Sequence, residues 1–303
     1  MDAVYAPRAI APAADPRREV ERALAEPVGA PPLGELARTA RRVAVIIPDP
    51  TRGLPKELML KAVGDALRAM ADENITIVVA YGRHGREDAE DLGLPGGWER
   101  RFRVVHHDAF DAESHGRLSS PDDSELWFDL DRAVLDAEFV VGLGAVRPHY
   151  FAGFTGGAKL LMPGCASIAT IRRNHALRTD RRARLGIVNG NRARENQEAC
   201  AALHGRYVTL AAVTTERGEL IRAAYGDAVR AHRALVPLAR TLGQVDIEPV
   251  DIVVAGAAHP TSINIYQITK VVAPAARFAR RAAWSLFAVR ARRASAISRR
   301  STT

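Results

Sequence analysis

Residues 139–175 read FVVGLGAVRPHYFAGFTGGAKLLMPGCASIATIRRNH. An apolar run, 139–146, breaks at Pro148 and His149 into a turn carrying Gly153, Gly156 and Gly157; Lys159 lies in that turn and His175 ends the polar segment after it. A short apolar run bounded by turn formers predicts a buried strand. Glycines let a backbone take positive φ and approach a ligand, so a strand ending in such a turn presents bare amides to a bound anion. The Gly-Gly-Ala-Lys order is not the phosphate loop of nucleotide hydrolases, because Leu160 stands where G-x-x-x-x-G-K-[ST] needs a hydroxyl.

The pattern repeats outward from this stretch. Residues 43–48 form another buried apolar run and deliver Asp49, Thr51 and Arg52 to its C-terminal end. Residues 54–73 show helical spacing, and 75–80 is a second strand ending at Gly82 and His84. Strands are also expected at 102–107, 186–188 and 207–215, and helices at 191–203 and 225–242. His106, His107, Asp108, Asp111, Glu113 and His115 read as a solvated loop, since no pair among them has a regular metal-ligand spacing. His232 reads as a solvated helix histidine. The strand-then-helix order predicts an α/β fold, a mainly parallel sheet flanked by helices, with ligands at the carboxyl ends of the strands.

Four segments are expected along the chain. Residues 1–34, rich in Ala and Pro, are a flexible leader, and 35–245 are a catalytic domain. Residues 246–276 begin a second, incomplete α/β domain, and 277–303 are a basic tail able to form one helix. Gln267 and Lys270, three apart in the third segment, share a face if helical.

The formal charge of +8 lies wholly in the tail: from Val271 onward there are eight arginines and no acid, so residues 1–270 are balanced. The charge therefore gives no reason to expect nucleic acid at the site. With 47% hydrophobic residues, 303 residues suffice for a packed core. Two cysteines cannot build a disulfide scaffold, no stretch reaches about 18 consecutive apolar residues, and no signal-type apolar region opens the chain; a reduced, cytoplasmic setting is the expectation.

The stretch from Arg147 to His175 closely resembles the nickel-pincer lactate racemase family. The family's histidine before a glycine-rich turn, its lysine inside the turn and its later nickel-ligating histidine match His149, Lys159 and His175. Its Asp-x-Thr-Arg motif matches Asp49 to Arg52, its histidine after the second strand matches His84, and its Tyr-Gln-x-x-Lys motif matches Tyr266 to Lys270. The resemblance implies a racemase or epimerase of a lactate-like 2-hydroxy acid, working by reversible hydride transfer to a nickel pyridinium-3,5-bisthiocarboxylic acid mononucleotide joined covalently to Lys159. It implies His84 and His149 as opposed acid/base groups and His175 as the metal ligand. Asp49, Arg52, Gln267 and Lys270 are then substrate-binding residues; that Thr155, Gly156 and Gly157 line the cofactor is inferred from the glycines alone. Proteins of cofactor biosynthesis are the implied partners.

Family members continue well beyond the point where this pattern decays, and a C-terminus truncated or shifted in frame is the expectation. Two other readings stay open: a catalytically impaired remnant of the family, and a nucleotide-phosphate-binding protein.

Overall fold

The computed structural model describes residues 8–83, 91–245, 247–257, 268, 271–272 and 274–289. His84, Gln267 and Lys270 lie outside them. The chain divides into two compact units, one spanning Pro7–Gln244 and one containing Val245–Thr303.

The first unit opens with α1 (Pro16–Ala25), α2 (Leu33–Thr39), β1 (Val43–Pro48), α3 (Lys56–Leu67) and β2 (Ile75–Ala80). It continues with α4 (Trp98–Arg101), β3 (Arg103–His106), β4 (His115–Ser119), β5 (Trp127–Asp131), α5 (Arg132–Leu135) and β6 (Phe139–Ala145). Two short strands follow, β7 (Pro148–His149) and β8 (Gly153–Phe154), then α6 (Ile168–Ala176), α7 (Arg192–His204), β9 (Tyr207–Thr214), β10 (Leu220–Asp227) and α8 (Arg230–Gly243).

Six strands form one sheet in the order β10-β9-β6-β1-β2-β3, parallel except for the antiparallel edge pair of β10 with β9. Strand β1, VAVIIP, is buried at every position, as a parallel strand covered on both faces must be. Alternate residues serve opposite layers. Val43, Val45 and Ile47 join a core with Val20 of α1, Leu33 of α2 and Met59, Leu60 and Val63 of α3. Ala44 and Ile46 join another with Val134 of α5, Ile171 of α6 and Cys200 of α7. Both cysteines are free and buried in this second layer. Among the described residues no helix is long and apolar enough to cross a membrane.

The chain leaves β1 toward β2 and β3, then returns to β6 on β1's other side and continues to β9. The sheet thus reverses direction between β1 and β6, and the crevice beyond their carboxyl ends is where open α/β sheets bind ligands.

Four expectations require correction. Residues 16–25 are not a loose leader: Asp15 caps α1 by accepting from the Arg18 amide, Val20 and Ala23 are buried, and Arg22 donates to the Ala223 carbonyl. Residues 186–188 are not a strand. The helix expected over 225–242 begins only at Arg230, because 220–227 pair with β9 as an edge strand.

In the second unit, β11 (Val250–Ala257) pairs in parallel with β12 (Ala279–Val289), so part of the expected helical tail is a strand.

Candidate functional site

The first loop of the crevice leaves β1. Asp49 is buried, and its carboxylate accepts from the Thr51 amide and hydroxyl and from Arg52 Nε at 3.0 Å. This grip orients the Arg52 fork, whose two Nη groups donate no hydrogen bond among the described residues.

Beside it, Arg147 leaves β6 and its Nη2 donates to Gly53 O (3.1 Å), Thr214 Oγ1 (2.6 Å) and Thr215 O (3.1 Å). One guanidinium thus ties together the ends of β1, β6 and β9. Burial lowers its pKa, Glu216 counters that, and the adjacent Arg52 adds to it.

His149 follows on β7, and the Ala152 amide donates to its Nδ1 at 3.2 Å. A neutral ring held this way carries its own proton on Nε2. The His149 ring meets the Phe151 ring edge-on at 4.8 Å, and the His175 ring, from α6, meets Phe151 edge-on at 5.2 Å. One buried aromatic ring therefore spaces the two imidazoles. Phe151 is itself held by Asn191, the N-cap of α7, whose amide donates to the Phe151 carbonyl at 2.8 Å. Burial first, then the charges of Lys159, Arg83 and Arg178, push His175 down to about 4, so its imidazole is neutral at ordinary pH. That interaction puts the charges of Lys159 and of Arg83, which follows β2, within electrostatic range of His175.

Lys159 ends the single 3-10 turn Gly157–Lys159, and the preceding backbone is gripped from below. Arg194 Nη1 donates to Phe154 O (3.4 Å) and Gly156 O (3.1 Å), His232 Nε2 to Thr155 O (2.9 Å), and Tyr207 Oη to Gly157 O (3.0 Å). In a trans peptide the N–H points opposite to the C=O. The amides of Gly156, Gly157 and Ala158 therefore face away from these anchors, and among the described residues none of them donates a hydrogen bond. Gly156 (φ 77°) and Gly157 (φ 58°) hold left-handed backbone, and a Cβ on Gly157 would come within 2.7 Å of Ala228 O. The Thr155 hydroxyl is spent on the backbone, donating to Ala145 O and accepting from Arg147 N.

Sequence reasoning had the glycines and the lysine but missed what grips them. Arg147, Asn191, Arg194, Tyr207 and His232 carry no motif, and a buried arginine on a polar helix has no signature in composition. His232, expected in solvent, is wholly buried. The loop histidines are not solvated either. His107 is buried between Asp131 Oδ2 and Ala166 O, both at 3.1 Å, and His115 is buried with Nδ1 on Asp111 O. Among the described residues no group of three or more His, Cys, Asp or Glu is arranged to hold a metal.

Burial, the dominant cause, lowers the pKa of His204 against the pull of the Val134 carbonyl, and burial together with the Arg194 charge takes that of His232 well below the usual histidine value against the Thr155 carbonyl. The unfolded chain binds protons at these positions as pH falls through about 6.5, while the folded chain does not, so stability is lost as pH falls from there. Thermal unfolding is expected to show a midpoint that is level above pH 7 and declines between about pH 6.5 and 5. In His232→Gln the decline should be shallower by up to one proton. An unchanged slope would mean that His232 is charged in the fold.

Residues 1–186 match the family described as lactate racemase N-terminal domain. Over 258 residues the chain is 27% identical to the lactate racemase of Thermoanaerobacterium thermosaccharolyticum, covering 83% of this chain and 60% of that one. Over 260 residues it is 29% identical to the lactate racemase of Lactiplantibacillus plantarum, with the same coverage. The chain thus spans about three fifths of the length of these relatives. The structure of the T. thermosaccharolyticum lactate racemase apoprotein superposes with a TM-score of 0.77 at 25% identity, over 84% of this chain and 63% of that one. A Thermotoga maritima protein shares the fold with a TM-score of 0.62 at 22% identity, over 75% of this chain and 62% of that one. With more than half its length matched by the family and the same parallel sheet beneath its site, the chain belongs to the lactate racemase family.

Proposed function

We propose that this chain carries the cofactor-binding and acid/base half of a 2-hydroxy acid racemase that uses a lysine-tethered nickel-pincer nucleotide. One observation carries the reading. His149 and His175 each meet the same aromatic ring, Phe151, edge-on, and the Lys159 charge acts on His175, at the crevice where the sheet reverses.

The donor set suits such a group. His175 offers a neutral imidazole, a ligand type suited to nickel. Lys159 offers an amine in acylation reach of the same space. The outward amides of residues 156–158 suit an anionic portion such as a phosphate. When bound, the group supplies an electron-poor centre able to take the Cα hydrogen with its electron pair and give it back.

The chain's own residues do the rest. Arg52, aligned by Asp49, clamps the substrate carboxylate and so fixes the substrate's orientation. His149, with its proton on Nε2, donates to the substrate oxygen when the keto acid is reduced. The opposed base is assigned to His84, and Gln267 and Lys270 are assigned as further polar contacts; all three rest on the motif match. Arg147 ties together the loops that carry Arg52 and His149.

The test is chain produced together with the cofactor-synthesis proteins and given one enantiomer of lactate, with the other enantiomer followed by chiral chromatography. Arg52→Lys keeps the charge but loses the fork, and KM is expected to rise by about tenfold or more with a smaller fall in kcat. Interconversion with unchanged KM in this variant would remove Arg52 from the carboxylate, and a lack of interconversion in the parent chain would refute the reading.

A further inference from the structure

We propose a second anion site whose lining shares no residue with those assigned to the crevice: a cleft of about 430 Å³ lined by Arg182, Arg184, Arg233 and Arg240 around the loop at Gly186 and Asn189, which takes a compact phosphorylated small molecule. Its volume falls within the range of small-ligand clefts and exceeds what a lone phosphate fills.

The arginines are set in place by the loop they surround. Arg240 Nη2 donates to Gly186 O (2.7 Å), Arg182 Nη2 to Asn189 O (2.9 Å), and Arg233 Nη1 to Asn189 Oδ1 (2.8 Å). Each of these bonds fixes one corner of a guanidinium and leaves other N–H groups of Arg182 and Arg240 uncommitted among the described residues. Arg184 donates no side-chain hydrogen bond among them at all.

What sets this cluster apart is convergence: four guanidinium groups line one cleft, and only Arg233 among them has a carboxylate partner among the described residues. Arg17, Arg22, Arg101 and Arg117 each sit against a carboxylate at 2.6–2.8 Å. Arg182, Arg184 and Arg240 have no carboxylate partner among the described residues. The acids around the cleft are engaged: Glu198 is shared between Arg233 (2.9 Å) and the buried Arg194 (3.0 Å), Asp180 accepts from the Arg182 amide, and Glu195 accepts from the Gly190 amide. Several like charges facing one cleft repel each other unless an anion answers them, and pre-set guanidinium forks match phosphate oxygens. The ligand class is therefore a phosphate dianion, free or carried on a small metabolite.

The test is isothermal titration of the full chain with inorganic phosphate, pyrophosphate and glycerol 3-phosphate at matched ionic strength, with chloride as the blank. Saturable binding is expected, weakened about tenfold or more in Arg184→Glu and in Arg182→Ala. The exposed Arg184 side chain makes no hydrogen bond or ion pair among the described residues, so its substitution should leave the melting temperature intact. Tighter binding of the esters than of inorganic phosphate identifies a metabolite as the occupant, and the reverse identifies the free ion. Arg17→Glu, on the far helix α1, should bind as the parent does. Binding that persists in both cleft variants but disappears in Lys159→Ala would place the anion at the glycine turn and overturn this proposal without touching the racemase reading. Heats that never saturate would overturn it as simple charge screening.

Discussion

Lys159→Ala protein, produced beside the cofactor-synthesis enzymes, is expected to have the intact mass of the bare polypeptide, whereas the parent chain carries a covalent adduct. The effect is all or none at the level of mass, because the proposed covalent joint needs the lysine nitrogen. Racemisation should fall to background, on the order of 10³-fold or more, as it does when a covalently engaged group is removed. The argument rests on where the amine is held. Lys159 ends a single turn whose preceding four carbonyls are pinned by Arg194, His232 and Tyr207, and its charge is one of the causes that keep His175 neutral. Lys159→Arg separates the two contributions: it retains a cation next to His175 but has no amine to acylate, and it too should remain unmodified. Lys61→Ala, an exposed α3 lysine paired with Glu57, should be modified like the parent. An adduct surviving in Lys159→Ala would move the tether elsewhere and sink the assignment.

How far the sequence could be read follows from where its signals lie. The parallel strands were legible because strands buried on both faces are unbroken apolar runs, as in VAVIIP and ITIVVA. Strand β10 was not, because LIRAAYGD mixes charge into an edge position and was absorbed into the helix that follows; the Arg217-Gly218 turn before it was the available hairpin signal. Helix α1 was hidden by its Ala- and Pro-rich surroundings, although Val20 and Ala23 stand one helical turn apart. At the site, Asp49, Arg52, His149, Lys159 and His175 could be read as candidates from strand-end position and spacing. The residues that hold them could not. Arg194 lies in RARENQEACAALH, a segment whose pattern points it to solvent, and only the packing of α7 beneath the glycine turn buries it.

That burial makes Arg194→Leu the substitution with the largest expected cost to the fold. The guanidinium is fully buried, bonded to Glu198 Oε1 and to the carbonyls of Phe154 and Gly156, and its Nη2 has no partner among the described residues. Removing it strands a mostly buried carboxylate on Arg233 alone and leaves the turn carbonyls undersatisfied, a loss of about 3–5 kcal/mol for breaking a buried pair from one side. For a unit of this size that corresponds to a melting point lowered by roughly 10 °C or more. The pair is costly to break but not costly to replace, since two well-packed apolar groups avoid desolvating either charge. Arg194→Leu combined with Glu198→Leu should therefore be less destabilised than the two single changes added together, by about 1–3 kcal/mol in a double-mutant cycle. The recovered double variant would still lack the grip on Gly156, so adduct formation at Lys159 should stay impaired while the melting point returns toward that of the parent. Additive losses would show that Arg194 serves the turn without depending on Glu198, and full recovery of both stability and adduct would show that the turn holds its shape without the guanidinium.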